Sequence, residues 1–530
     1  MPFADNNDSL APKPTGDNGD GTFTNPFMWT DVPDPDVIRV GDYYYMVTTT
    51  MHLMPGAPVM RSVDLVNWET VSYLFDKLND TPNYDLKEGT VYGRGQWATS
   101  IRYHDGRFYA YFSPNDQPYK GYVYTTEDPA KGWTLHSRLP HFHDASLFFD
   151  DDGRAYVFYG TGQLRELEPD LSAVKKGGVD MHIFERDSTE TGLLEGSRFI
   201  KYKGKYYLLM ISWPNGGKRR QVCYRADNVT GPYEKKVILE DSFDGFGYVG
   251  QGTIVDDPQG NWYGVIFQDR GGIGRVLTLM PCRWIDGWPM LGDSEGRVPK
   301  VMKKPSQDGK PVPLVVSDDF SSDMLKINWQ WNHNPVNEAW SLTERPGYLR
   351  LKTNRVVDNL YAATNTLTQR TTAPTCSGVV KMDVSHMKDG DVAGLSAFNG
   401  HSGILSVERI GSKYEIKMST NVVDLADSNK AILSVDKKTI EQVEVGTVAT
   451  IYLRMDCDFR LGKDIANFYY SFDGSVWTRI GTDYKMIFDY RKLFMGSKFA
   501  IFNYATKVLG GYVDVDSFHF YPEAITPFDS

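Results

Sequence analysis

Asp34, Asp144 and Glu195 are far apart in the chain, yet each stands at nearly the same distance ahead of a tyrosine. Asp144 and Glu195 lie twelve residues before Tyr156 and Tyr207, and Asp34 lies eleven before Tyr45, where the turn "VGD" is one residue shorter. Two more residues share that phase, Trp97 before Tyr109 and Gln251 before Tyr263. If the tyrosines mark equivalent points of a repeated unit, these five residues form one ring. Three carboxylates facing one another are costly. Like charges in a cleft push one acid's pKa upward and keep a proton on it, which suits acid–base chemistry and serves no purpose for stability. The tryptophan adds an apolar face of the kind that stacks on sugar rings, and a carboxylate pair across a sugar is the equipment of glycoside hydrolysis. Two plainer readings compete. A single aspartate before a turn is usually a cap or a loop acid, and three carboxylates could hold Ca2+. Calcium loops, however, draw their ligands from one short segment, and these acids lie on three.

The elements that position the ring are five hairpins: "IRVGDYYYMV", "IRYHDGRFYAYF", "LFFDDDGRAYVFY", "FIKYKGKYYLLMI" and "IVDDPQGNWYGVIF". Each joins two apolar strands through a turn containing Gly or Asp, residues that accept the positive φ of tight hairpins. The aligned tyrosines are 47 to 64 residues apart, the size of a four-stranded blade with variable loops. A weaker echo after four of the hairpins ("SVDLVNWE", "TEDPAKGWT", "EPDLSAVKK", "ADNVTGPYE") supplies outer strands. The expectation is an all-β chain with a five-bladed β-propeller over 22–300. A β-sandwich also repeats hairpins, but it gives no reason for five aligned units. Within the first unit Asp34 sits between Pro33 and Pro35, and Pro35 predicts an extended backbone for it.

Composition agrees. At 530 residues the chain is too long for one core, and a 13% aromatic share with 49 Gly suits a β-rich protein. A net charge of −11 without a long basic run excludes a nucleic-acid partner. Cys223, Cys282, Cys376 and Cys457 are widely spaced, which disfavours structural zinc and a disulfide framework. No apolar run approaches the roughly 20 residues of a membrane span. Residues 1–21 are polar and read as a flexible lead-in without the apolar core of a signal peptide. The location expected is periplasmic or secreted if such a peptide is removed, and cytoplasmic otherwise.

At these residues the chain resembles glycoside hydrolase family 43, the five-bladed β-xylosidases and α-L-arabinofuranosidases. The likeness is carried by "DPDVIRVGDYYYM", "RSVDLVNWE", "GQWATSIRYHDGRFY", "HDASLFFDDDGRAYVFYG", "LLEGSRFIKYKGKYYL" and "GRVLTLMPCRWIDGWPMLG". The resemblance implies inversion, with Asp34 as general base, Glu195 as general acid and Asp144 as the acid that raises and orients it. It implies that Trp97 walls the −1 sugar pocket and that Arg275, with Arg270 as its neighbour and competitor, contacts the terminal sugar. Inversion requires the Asp34 and Glu195 carboxyls about 6.5–9.5 Å apart. Gln251, a further substrate-side residue, departs from the family: many members carry His there, which helps hold a calcium-centred water cluster. No cofactor is required by this reading, and Gln251 makes a channel Ca2+ doubtful.

From residue 301 to 314 Pro, Lys and Gly suggest a linker. Residues 315–530 alternate as antiparallel strands and resemble the concanavalin-like C-terminal domain of this family, through "NWQWNHNP", "WSLTERPGYLRL" and "FAIFNYAT". In relatives such a domain packs on the propeller and can send a loop to the site; a stability partner is the plainer expectation, a sugar-binding module the sharper one. The activity expected is exo-acting release of terminal α-L-arabinofuranose, and also β-D-xylose, from plant hemicellulose polysaccharides or oligosaccharides. The segment "TTTMHLMPGAPVM" is expected to line the pocket; its lack of aromatic residues leans toward arabinofuranose, and His52 within it is read as packing. A β-xylosidase proper, an endo-arabinanase and a non-catalytic carbohydrate-binding propeller are the alternatives.

Overall fold

A computed structural model describes residues 15–115 and 119–528. Five four-stranded antiparallel sheets make the first half. Their innermost strands are Asp36–Val40, Ser100–His104, Ser146–Phe149, Leu193–Tyr202 and Val249–Asp256, and each touches the next, the fifth closing on the first. This is a five-bladed propeller. Every quoted hairpin is the inner pair of one blade, and the marker tyrosines pack between blades; Tyr45, Tyr156 and Tyr207 are buried.

The ring residues fall at the entrance to these inner strands, in two ways. Asp34, Trp97 and Asp144 precede their strands, whereas Glu195 and Gln251 lie inside theirs, each at a break in register before the strand resumes pairing. Such bulges re-aim a side chain, here toward the channel mouth.

The second half is a sandwich of an eight-stranded and a seven-stranded antiparallel sheet with a continuous apolar core between them. The two halves are stitched together. Leu53–Met54, from the first blade, pairs with Gln330–Asn332 and becomes the edge strand of the eight-stranded sheet. Met51, Leu53 and Tyr92 share a buried cluster with Leu360, Tyr361 and Phe398.

The lead-in and the linker are tied together where they are described. Residues 1–14 of the lead-in lie outside the described residues. From Thr15 onward the chain is held: Gly16 N–H donates to Phe27, and Thr22–Thr24 pairs with Val301–Lys303, the first residues of the expected linker. Lys304 then reaches Asp17 at 2.8 Å and Asp64 at 3.1 Å, all three side chains being buried. Composition alone cannot reveal this clasp, because its partners are hundreds of residues apart.

Candidate active site

The proposed base is fixed at both oxygens. Thr49 Oγ1 donates to Asp34 Oδ2 at 2.7 Å, and Arg275 Nη1 stands 3.2 Å from Oδ1. The backbone of Asp34 is left-handed, with φ of 54°, and not extended as Pro35 suggested. Aspartate accepts that region at modest cost, and tertiary bonds hold it there. Thr48 Oγ1 donates to Pro33 O at 2.5 Å, and Arg198 donates to the carbonyls of Asp34 (3.0 Å) and Pro35 (3.3 Å).

Arg198 is only 1% exposed and spans three blades, with contacts to the first, to Ala145 O of the third and to Asp36 at 3.5 Å. It lies in the repeat segment "EGSR", and no role is assigned to it from sequence. An arginine three residues after Glu195 on an inner strand was the available signal, since a buried charge needs partners on several sides. Asp36 also binds Arg102 at 2.7 Å, so two guanidinium groups share this part of the channel.

Asp144 and Glu195 meet through a histidine. His143 Nε2 lies 2.8 Å from Glu195 Oε2 and 3.5 Å from Asp144 Oδ2. Asp144 also accepts Gly196 N–H at 3.1 Å and, like Asp34, has a positive φ (46°). Burial pushes the Asp144 carboxyl up; the His143 charge opposes, Glu195 and Asp34 reinforce, and the result is about 7. Burial works against a charge on His143, but Asp144 and the hydrogen bond and charge of Glu195 outweigh it and raise the imidazole to about 9. His143 was missed in sequence although it adjoins Asp144 in "HFHDAS", because it belongs to one blade only and leaves no trace in the repeat.

His143, Asp144 and Glu195 offer metal-ligating atoms within 4.8 Å of one another. In this structure His143 Nε2 is engaged with Glu195 at 2.8 Å, so the trio reads as a hydrogen-bonded site.

An aromatic wall completes the mouth. The Trp97 ring is 6.0 Å from His143 and 5.7 Å from Phe494, and its Nε1 donates to Gly93 O at 3.0 Å. Phe494 comes from the sandwich, so the second half contributes a side chain to the site, a residue no repeat could single out. Arg275 lies 4.3 Å from the Phe494 ring centroid, and its backbone N–H donates to Asp31 Oδ1 at 2.9 Å. Arg270 is occupied elsewhere, with Asp244 at 3.3 Å and the Phe246 ring at 4.2 Å, which separates it from Arg275. Gln251 is buried beside Glu195; a Cβ on Gly196 would fall 2.5 Å from its side chain, so glycine is needed there. Of the loop "TTTMHLMPGAPVM", only Thr49 touches the acids. His52 is fully buried against Tyr92 and His333 at the seam, 5.1 and 5.3 Å away, which is packing.

Comparison with known proteins identifies the family. The family model of glycosyl hydrolases family 43 matches residues 23–289, and that of the beta-xylosidase C-terminal concanavalin A-like domain matches 317–521. A beta-xylosidase of Formosa agariphila is 31% identical over 95% of this chain and 91% of its own. A solved bifunctional GH43-CE protein of Bacteroides eggerthii superimposes with a TM-score of 0.87 at 42% identity, covering 97% of this chain and 64% of that one. The present chain thus spans less than two-thirds of that protein's length. A second solved structure, an engineered family 43 enzyme displaying both endo-xylanase and exo-arabinofuranosidase activity, gives a TM-score of 0.85 at 32% identity over 94% of this chain and 99% of that one.

Proposed function

Because the chain belongs to glycoside hydrolase family 43, we propose that it removes single terminal pentoses, α-L-arabinofuranose or β-D-xylose, from hemicellulose chains or oligosaccharides with inversion. The observation that carries this reading is the pairing of Asp34, held at both oxygens by Thr49 and Arg275, with a second acid site across the channel at Glu195. A water at Asp34 would be deprotonated as it attacks the anomeric carbon, while Glu195 gives its proton to the leaving oxygen. Asp144, buried and titrating near 7, keeps a proton in the pair at mildly acidic pH. His143 fixes the direction of the Glu195 carboxyl and exchanges a proton with it along a 2.8 Å bond.

Release of a terminal unit, in preference to internal cleavage, is supported by the packing of Phe494 from the sandwich onto Trp97, ring centroids 5.7 Å apart, which walls one side of the mouth. The loop expected to favour arabinofuranose is largely buried between the halves, so the two pentoses stand as equal substrates of this reading. This reading invokes no cation in the channel, and it draws on Arg198 and Arg102 as the positive charge beside Asp36.

The test is incubation with p-nitrophenyl α-L-arabinofuranoside and β-D-xyloside, comparing wild type with Asp34→Ala and Glu195→Ala. Wild type should release nitrophenol from at least one and the variants should lose at least about 100-fold. Release from neither by wild type overturns the reading, and full activity in both variants overturns the site.

A further inference from the structure

Outboard of Glu195, on the same strand, the rim carries an exposed apolar feature. Leu193 and Trp213 are cross-strand neighbours on the inner pair of the fourth blade, and Glu195 faces Ile211 one step inward in the same register. Side chains two residues apart on a strand share a face, so Leu193, Trp213, Glu195 and Ile211 project together. Ile211 is buried, and a Cβ on Gly250 would lie 3.6 Å from it, so this face looks toward the fifth blade. Leu193 is 40% and Trp213 50% exposed.

The tryptophan is not a loose surface ring. Arg219, itself buried, donates to the carbonyl of Tyr248 from Nε (3.1 Å) and Nη2 (2.6 Å) and pairs with Asp269. Its guanidinium carbon lies 5.6 Å from the centre of the Trp213 ring and 5.7 Å from that of Phe267. Tyr248 is three residues before Gln251. Arg219 therefore ties an aromatic residue of the fourth blade to one at the start of the fifth, with Glu195 and Gln251 below them. Exposed aromatic area braced in this way marks a surface kept for a ligand.

We infer that Trp213, with Leu193 and Tyr248 beside it, is a platform for the leaving-group chain of the substrate, a β-linked pentopyranose backbone extending at least two sugars beyond the cleaved bond. The inference rests on the reading of Glu195 as the group that protonates the leaving oxygen. That oxygen belongs to the sugar on the departing side, so the surface next outward from Glu195 is where the departing chain runs. Leu193 is about 7 Å from Glu195 along the strand, farther than one bond-forming contact and within reach of the next sugar. A pyranose presents an apolar face to an aromatic ring and hydroxyls to its surroundings; Lys218, 5.6 Å from the Tyr248 ring, supplies a cationic donor at the edge.

The experiment compares wild type, Trp213→Ala and Trp213→Phe on p-nitrophenyl pentosides and on xylotetraose and arabinoxylan. For Trp213→Ala the ratio of kcat/KM on the chain substrates to that on the chromogenic ones should fall about threefold to tenfold, the worth of one aromatic contact; Trp213→Phe should restore most of it. An unchanged ratio, including an equal loss on both substrate types, overturns the proposal. If wild type cleaves none of these substrates, the pentosidase reading fails, and calorimetric binding of xylotetraose decides the platform. A Kd raised at least threefold by Trp213→Ala supports it; equal Kd values, or no binding by wild type at millimolar sugar, overturn it.

Discussion

Replacing His143 by asparagine removes the cation between Asp144 and Glu195 while leaving a neutral donor in nearly the same place. At 3.5 Å from Asp144, a unit charge is worth about 5 kcal/mol at an effective dielectric of 20 and about 1 kcal/mol in bulk water. A third of the imidazole is open to solvent, so screening brings the effect toward the low end, about 1–1.5 kcal/mol. That is about one pK unit. Loss of a neighbouring positive charge disfavours the carboxylate, so the proton is held more tightly and the titration moves up, from about 7 in the wild-type Asp144 toward about 8.

The proton held by Asp144 is the one whose loss ends activity on the alkaline side. The alkaline limb of kcat/KM should therefore move up by about one unit in His143→Asn, read from initial rates on a chromogenic pentoside between pH 4.5 and 9. Maximal activity should fall, by about tenfold, because the Glu195 carboxyl loses its charge-assisted bond at 2.8 Å. A limb that stays within about 0.3 units of wild type, or moves down, refutes the argument that His143 sets the charge balance of the pair. A fall in activity with no shift would leave His143 as a spacer.

Three further outcomes are expected. The sugar first released, observed by NMR before mutarotation, should have the anomeric configuration opposite to that of the substrate, as attack by a water activated at Asp34 requires; retention would remove Asp34 from the role of base. Phe494→Ala should lower kcat/KM about threefold to thirtyfold through loss of the ring against Arg275 and Trp97, and a drop in Tm above about 5 °C would instead make the residue structural. His52, buried and held down to about 3, stays neutral in the folded protein while the unfolded chain takes up a proton near 6.5. Its contribution is therefore intact above about 6.5 and is lost as pH falls toward 3, at about 1.4 kcal/mol per pH unit. Denaturant melts of His52→Leu against wild type at pH 7 and 5 should show the variant gaining about 2 kcal/mol relative to wild type at the lower pH; a constant difference would refute neutrality.

The propeller was legible because one hairpin is written five times, and the acids were legible because they keep its phase. What repetition does not mark was not found. His143 and Arg198 each occur in one blade, although a histidine beside Asp144 and an arginine on an inner strand stood in the quoted motifs. The backbone of Asp34 went the other way from its local rule: the steric preference before Pro35 gives way to Arg198 holding two successive carbonyls. Lys304 reads as linker until Asp17 and Asp64 are placed against it. In each case the deciding partner lies elsewhere in the chain, at a distance that composition and periodicity do not see.

The same distance explains why the sandwich belongs to the site. Both groups that hold Asp34 are themselves fastened to the second half. Thr49 leads into Met51 and Leu53, and the chain there pairs with Gln330–Asn332 as a strand of the sandwich. Arg275 is held by Asp31, whose other oxygen accepts Gly496 N–H at 2.8 Å, and Gly496 follows Phe494 by two residues. A carboxylate that must aim one water gains little from a rigid propeller if its own partners can drift. Stability and pocket shape are thus one contribution here: the sandwich places Phe494 over the mouth with the same segment that fixes Arg275. Weakening that seam, for instance by Asp31→Asn, should loosen Arg275 and lower kcat more than it lowers Tm.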